Sequence, residues 1–196
     1  YIGNVHGRIH SRDERVEISA LYDILPERAE RTAKTIGGRV CTSREELMRN
    51  CDAVLVCAPN RTHKEIALHA VAEGKHVFCE KPFSIGIDDA AELRDAANDG
   101  KGIFQVGHNR RFAPVYSTLK GLLIDDTPHS AHIKMNRGEL KNPVWTGDVN
   151  VTGGFLYETT IHLFDMVRFQ LQCFFLKLWV VFSTLRSKKK MVAVII

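Results

Sequence analysis

Residues 52–82 read DAVLVCAPNRTHKEIALHAVAEGKHVFCEKP, and the fold follows from how this stretch is parsed. Asp52 to Cys57 is an apolar run without polar alternation, the pattern of a strand in a parallel sheet covered on both faces. Pro59 ends it. Thr62 caps a helical stretch from His63 to about Glu73, which Gly74 closes. Lys75 to Cys79 is a second strand, so the order is strand, helix, strand. That second strand stops on Glu80-Lys81-Pro82, which brings a lysine to the carboxyl edge of a sheet. In an α/β protein ligands bind at that edge, so Lys81 is the first residue to examine for chemistry.

The pattern extends in both directions. Upstream, Val16 to Tyr22 reads as a strand entering a buried sheet. Pro26 opens a helix to about Ile36, with Glu27 and Glu30 near its start, and Gly37-Gly38 stops it. Thr42-Ser43 begins a short helix with Glu45 and Glu46 in its first turn. Downstream, Asp88 to Asn98 is a helix ended by Gly100, and Gly102 to Val106 is a short strand. This alternation predicts a Rossmann-type doubly wound parallel sheet over residues 1–107. Beyond residue 108 the pattern changes. A helix is expected over Pro114 to Leu123, a strand over Ser130 to Arg137, a loop over 138–152, a helix over Phe155 to Leu171, and strands over Lys177 to Thr184 and Met191 to Ile196. Residues 108–196 therefore read as a second, incomplete α+β domain with a mostly antiparallel sheet.

Composition narrows the function classes. Of the residues, 44% are hydrophobic and 26% charged, and the net charge is +4; these are ordinary values for a globular chain. Arg186, Lys188, Lys189 and Lys190 form one basic cluster, which reads as a solvated turn rather than a nucleic-acid surface. The five cysteines, Cys41, Cys51, Cys57, Cys79 and Cys173, form no CxxC pair. They suit buried, reduced thiols and a cytoplasmic location. The apolar run Phe174 to Phe182, broken by Lys177, is too short to span a bilayer. The start at Tyr1 without Met and the apolar end at Val192 to Ile196 read as the edges of a fragment.

Asp23 follows the strand Val16–Tyr22 and lies 20 residues after Gly3. This is the spacing expected between a dinucleotide glycine fingerprint and the acid that binds the adenosine ribose. A carboxylate there accepts from both ribose hydroxyls and repels a 2′-phosphate, so it favours NAD over NADP. The rival reading is a turn aspartate that caps the helix opened by Pro26. Gly3 would be only the third glycine of the fingerprint, so the dinucleotide domain reads as lacking its first strand and the two glycines after it.

Four motifs then occur in order: Ala58-Pro59-Asn60-Arg61-Thr62-His63, Cys79-Glu80-Lys81-Pro82, Gly107-His108-Asn109-Arg110-Arg111-Phe112, and Gly153-Gly154 with Glu158, His162 and Asp165. Together they resemble the Gfo/Idh/MocA oxidoreductases, over nearly the whole chain. The resemblance implies a Rossmann domain, a second domain whose open sheet builds a homo-oligomer interface, and hydride transfer between NAD or NADP and a secondary alcohol of a sugar or cyclitol. It implies that Pro59, Asn60, His63, Glu80 and Lys81 flank the nicotinamide, with Lys81-Pro82 in the cis form.

Removing a hydride from a carbinol carbon also requires a base for the hydroxyl proton. His162 is the candidate. Glu158, one helical turn earlier where the family usually has Asp, would orient it or bind substrate. Lys81 would donate a hydrogen bond to the reacting oxygen. Asn109, Arg110 and Arg111 read either as substrate contacts or as an inter-domain salt-bridge cluster, Arg111 less as a substrate contact because it could pair with a surface acid, and Asp165 reads as structural. Glu158 and His162 have the i, i+4 spacing of metal ligands, but no HExxH motif or cysteine cluster joins them, so no metal is expected. The expected function is an NAD-dependent dehydrogenase acting on a small polyol or sugar, with neither nucleic acid nor membrane as partner. A non-catalytic remnant and an NAD(H)-binding regulator are the alternatives.

Overall fold

The computed structural model describes residues 1–124, 148–154, 156–171 and 190–195. The chain divides into two units: Tyr1–Gly107 together with Arg186–Ile196, and His108–Leu185.

The first unit contains α1 (Ile2–His10), β1 (Val16–Tyr22), α2 (Pro26–Ile36), β2 (Arg39–Val40), α3 (Arg44–Arg49), β3 (Ala53–Val56), α4 (His63–Ala72), β4 (His76–Cys79), α5 (Ile87–Asp99), β5 (Phe104–Val106) and, from the far end of the chain, β6 (Lys190–Ile195). Local chemistry sets the boundaries. Pro26 occupies the first turn of α2, where its missing N–H costs nothing. Ser43 caps α3 by accepting the Glu46 amide at 3.1 Å, and the Glu46 carboxylate reaches back to the Thr42 amide at 2.7 Å. Each side chain thus satisfies an amide that the helix start leaves open.

All strands run parallel, in the order β2-β1-β6-β3-β4-β5. Helices cover both faces, so β3 divides its side chains between two cores. Val54 and Val56 enter a cluster with Ala20, Leu47, Met48, Ile66, Ala70 and Leu93, whereas Leu55 and Cys57 join Ile18, Leu21, Ala29 and Ile36. Successive side chains of a strand point to opposite faces, and two buried faces account for an uninterrupted apolar run. Ile18 and Leu21 reach the same core although they are three residues apart. The register against β6 slips between Ile18 and Ala20, and the extra residue of that bulge restores the alternation.

The strand at the chain's far end lies elsewhere than the sequence pattern predicts. Met191 to Ile196 is expected in the second domain, and the dinucleotide sheet is expected to lack its first strand. Instead β6 lies between β1 and β3. It pairs with Val16–Tyr22 on one side and with Ala53–Val56 on the other. This is the central place that the first strand holds in the 3-2-1-4-5-6 order of a dinucleotide fold. An apolar run announces a strand but carries no local signal of its sheet, and the gap between β1 and β3 offers two edges at once.

Gly38 closes the turn from α2 into β2 at φ +90°, with its Cα in a tight corner. A Cβ there would lie 3.0 Å from the Ile18 carbonyl oxygen and 2.7 Å from Leu21 Cδ1. Gly38→Ala is therefore expected to destabilise the first unit by about 1–3 kcal/mol, the cost of a strained left-handed residue, read as a lower urea midpoint at unchanged slope.

Among the described residues, the second unit consists of a 3-10 turn (Asn109–Phe112), α6 (Pro114–Leu122), α7 (Val149–Thr152), a π-helical turn (Leu156–Thr160) and α8 (Ile161–Leu171). Gln170 Nε2 donates to the Tyr116 carbonyl at 2.9 Å, and the Lys120 ammonium stands 3.8 Å from the Phe169 ring centre; both tie α8 to α6. The strands expected over Ser130–Arg137 and Lys177–Thr184 lie outside the described residues.

Candidate active site

Because the sheet is parallel, every β-strand of the first unit sends its carboxyl end to one edge. Asp23 leaves β1 there, Ala58 and Pro59 follow β3, Glu80 and Lys81 follow β4, and Gly107 follows β5. The order of the sheet reverses direction around β6 and β3, which makes this edge a topological switch point. Helix α1 lies against β1 and α2. Gly7 is buried there, and a Cβ on it would collide with the Ile36 side chain.

Asp23 is buried, and its Oδ1 accepts the Leu25 amide at 2.9 Å. That contact meets the turn-aspartate reading directly. It engages one oxygen of a carboxylate that has two, and the position at the carboxyl end of β1 suits a ribose. With the parallel order and the close seating of α1, the residues present fit an NAD-type dinucleotide.

Glu80 and Lys81 form the turn after β4, and the Lys81–Pro82 bond is cis, the form the family resemblance implies. The Glu80 carboxylate is 8% exposed. It takes the His6 ring nitrogen Nε2 on Oε1 at 2.7 Å and the Lys81 amide on Oε2 at 3.2 Å. Burial acts to raise its pKa, but the His6 hydrogen bond and charge, the Lys81 amide and the Lys81 charge outweigh that and hold it below the ordinary carboxylate range. Gly107 makes room for this carboxylate: a Cβ there would stand 3.2 Å from Glu80 Cδ and 3.1 Å from Phe78 Cζ.

His63, expected beside the nicotinamide, is 1% exposed. Its Nδ1 lies 2.6 Å from the Pro82 carbonyl oxygen and its Nε2 2.6 Å from that of Ala58. Burial lowers its pKa, against the pull of those two carbonyls. Both ring nitrogens face backbone carbonyls, and the neutral imidazole that burial favours donates to one of them, which seats the ring between the turns after β3 and β4. Asn60 is buried in the same loop and Pro59 is exposed.

In the second unit His162 is buried near the start of α8, and Glu158 is half-buried in the preceding π turn. The i, i+4 spacing predicts both on one α-helix, whereas Glu158 lies in the π turn and His162 in α8. A π turn closes i→i+5 hydrogen bonds, so four residues fall short of one revolution and the two side chains are offset from the α-helical stacking. Gly153 ends α7 in the left-handed region at φ 77°, and Gly154 follows at φ 84°; together they turn the chain into the π segment. Asn109 is exposed and Arg110 half-buried. Arg111 makes a two-pronged ion pair with buried Asp165, and His108 Nδ1 lies 3.7 Å from the same carboxylate. This pair joins two of the motifs. The surface acid expected for Arg111 is instead the buried Asp165.

The thiols of Cys41, Cys51, Cys57 and Cys79 are free and buried. Burial pushes Cys51 up to about 11 and Cys57, with the Glu80 charge beside it, up to about 12. None of these is poised as a nucleophile at neutral pH. Among the described residues no cluster of three His, Cys, Asp or Glu could hold a metal ion, and no helix is long and apolar enough to cross a membrane.

Residues 1–108 match a family model described as "Oxidoreductase family, NAD-binding Rossmann fold". The chain is 33% identical over 174 residues to glucose-6-phosphate 3-dehydrogenase of Bacillus subtilis (strain 168), covering 85% of this chain and 50% of that protein. It is 31% identical over 175 residues to inositol 2-dehydrogenase of Rhizobium meliloti (strain 1021), covering 87% and 52%. The crystal structure of an NAD-binding protein from Listeria innocua superposes with a TM-score of 0.74 at 28% identity, over 87% of this chain and 52% of that one. The chain thus spans about half the length of the curated relatives it matches.

Proposed function

Since the chain belongs to the Gfo/Idh/MocA family of NAD-binding oxidoreductases, we propose that it acts as an NAD-dependent dehydrogenase on a secondary alcohol of a sugar or cyclitol. The observation that carries this reading is the convergence of Asp23, Pro59 and Lys81 on the carboxyl edge of one parallel sheet, at its switch point. The dinucleotide, when bound, supplies the hydride acceptor.

The protein's own groups handle the oxygen and its proton. Lys81 donates a hydrogen bond to the reacting oxygen and stabilises the charge that develops there. His162 takes the hydroxyl proton as general base. Glu158 supports His162 or the substrate, and Asn109 and Arg110 contact substrate hydroxyls. Gly3, in the first turn of α1, lies on the cofactor side with Asn60 and Glu80. The names of the dehydrogenase relatives support a small sugar or cyclitol as partner. A homo-oligomer built by the second domain is part of the same proposal. The four buried free thiols among the described residues support a reducing compartment such as the cytoplasm.

The test is titration of the protein with NADH, followed by fluorescence, and then turnover of NAD with myo-inositol and glucose 6-phosphate. Asp23 decides the cofactor preference. Asp23→Ala is expected to weaken NADH about tenfold or more, the worth of a hydrogen bond to a charged group, and to leave NADPH unchanged or tighter. Equal loss for both cofactors would return Asp23 to the role of a turn residue. NADH binding without turnover of any polyol would replace the dehydrogenase with a cofactor-binding protein.

A further inference from the structure

We propose that His6 is a positioning residue for the Lys81 turn, holding the Glu80 carboxylate so that α1 and the turn after β4 move as one piece. The inference rests on the reading that Lys81 acts on the substrate oxygen.

The geometry is that of a clamp. One carboxylate has two clients: its Oε1 lies 2.7 Å from His6 Nε2, and its Oε2 takes the Lys81 backbone amide at 3.2 Å. An ionised carboxylate only accepts, so Nε2 carries the donated proton. The His6 ring is itself held. Phe78, two residues before Glu80 on the same side of β4, meets it edge-on with ring centres 5.1 Å apart at 61°, and the His10 ring stacks behind it at 6.4 Å. Gly107 lies beside Phe78 and the carboxylate, where a Cβ would be crowded at 3.1 Å from Phe78 Cζ and 3.2 Å from Glu80 Cδ. Side-chain exposures of 19% for His6 and 10% for Glu80 keep the pair largely out of water, where a charge-assisted bond keeps more of its strength.

This contact has a consequence for function because of where its ends lie. α1 is the first helix of a dinucleotide fold, the element that faces the cofactor pyrophosphate. Lys81 follows Glu80 directly. The His6–Glu80 bond is therefore a direct side-chain link between the cofactor helix and the lysine turn. The charged and titratable groups around the carboxylate are His6, His10 behind it, Lys81, His63 across the turn, and the thiols of Cys57 and Cys79. Both thiols are raised by burial and by the Glu80 charge, and burial lowers the pKa of His10 and His63, which leaves Lys81 as the cationic side chain next to it in sequence.

The test uses the full chain and four variants: His6→Ala, His6→Gln, Glu80→Gln and the double variant His6→Ala/Glu80→Gln. Lysine acetylation by acetic anhydride is followed by mass spectrometry, comparing Lys81 with Lys64 and Lys101 as internal references. His6→Ala and Glu80→Gln are each expected to change the Lys81 rate roughly threefold or more, given the strength of a hydrogen bond to a charged group. The double variant should add nothing further. His6→Gln, which keeps an N–H donor, should restore the rate at least in part. A second readout is stability against pH. Glu80 is depressed in the folded protein, so its contribution is present above the ordinary carboxylate value of about 4.3 and is lost as pH falls through the lower folded value. The stability gap between wild type and His6→Ala should close in that acid range. An unchanged Lys81 rate in folded His6→Ala, or full additivity in the double variant, overturns the proposal. If instead Lys81→Ala leaves turnover intact, the catalytic reading fails while the labelling still reports on the clamp.

Discussion

Deleting residues 186–196 is expected to abolish the cooperative fold of the first unit. The strand β6 is bonded on both sides, to β1 over Val16–Tyr22 and to β3 over Ala53–Val56. Without it the six-stranded sheet falls into a β2-β1 pair and a β3-β4-β5 trio. Two raw edges open in the middle of the protein, and an isolated pair of strands is at best marginal in water. Both cores contain residues of β1 and of β3, the two strands that β6 joins. A domain's whole net stability is only about 5–15 kcal/mol, which the loss of a central strand would exhaust. Circular dichroism should show no cooperative melt above room temperature for the shortened chain. A gentler variant makes the same point. Ala193→Pro removes a backbone donor from the middle of the ladder, where proline is excluded from central strands, and should cost about 3 kcal/mol or more. A shortened chain with an unchanged melting temperature would mean that β6 contributes nothing to the sheet.

That strand also marks where the sequence ceases to be readable. The β-α-β order from Val16 to Val106 rests on signals local to a few residues: the unbroken apolar run of β3, Pro26 at the start of α2, Ser43 with Glu46 at α3, and the glycines that stop helices. Such features survive without knowledge of the rest of the chain. Partner choice does not. Lys190–Ile195 looks the same whether it pairs within a second domain or fills the centre of the first, because only the two waiting edges of β1 and β3 distinguish the cases. The same limit applies within the site. Lys81 and Asp23 were visible because each ends a strand. His6 was not, although Gly3-x-x-His6 places it one turn after the fingerprint glycine, because its meaning depends on Glu80, 74 residues away. The surroundings of His63 are likewise not legible in the sequence. Two backbone carbonyls at 2.6 Å can be known only from the folded turns that bring them there. The offset of Glu158 from His162 depends likewise on a π turn that no i, i+4 count anticipates.

Lys81→Ala is expected to lower kcat with NAD and a polyol by about 10²–10³-fold, the usual effect of removing one donor aimed at a developing oxyanion. The same variant should bind NADH within a few-fold of wild type. The reasons lie in how the turn is built. Glu80 is held by His6 and by the backbone amide of residue 81, and the Pro82 carbonyl is held by His63. Truncating the Lys81 side chain keeps both groups bonded to Glu80, the His6 ring and the backbone amide of Lys81. The loss should therefore fall on the chemical step rather than on folding or cofactor affinity. Lys81→Arg separates charge from geometry. It keeps a cationic donor but replaces a compact ammonium with a planar fork, so it should recover only a small part of the rate. Stopped-flow measurement of NADH formation in a single turnover resolves the step directly. A Lys81→Ala protein that folds, binds NADH and reduces NAD at the wild-type rate would remove Lys81 from the reaction. The turn would then be explained as structure alone.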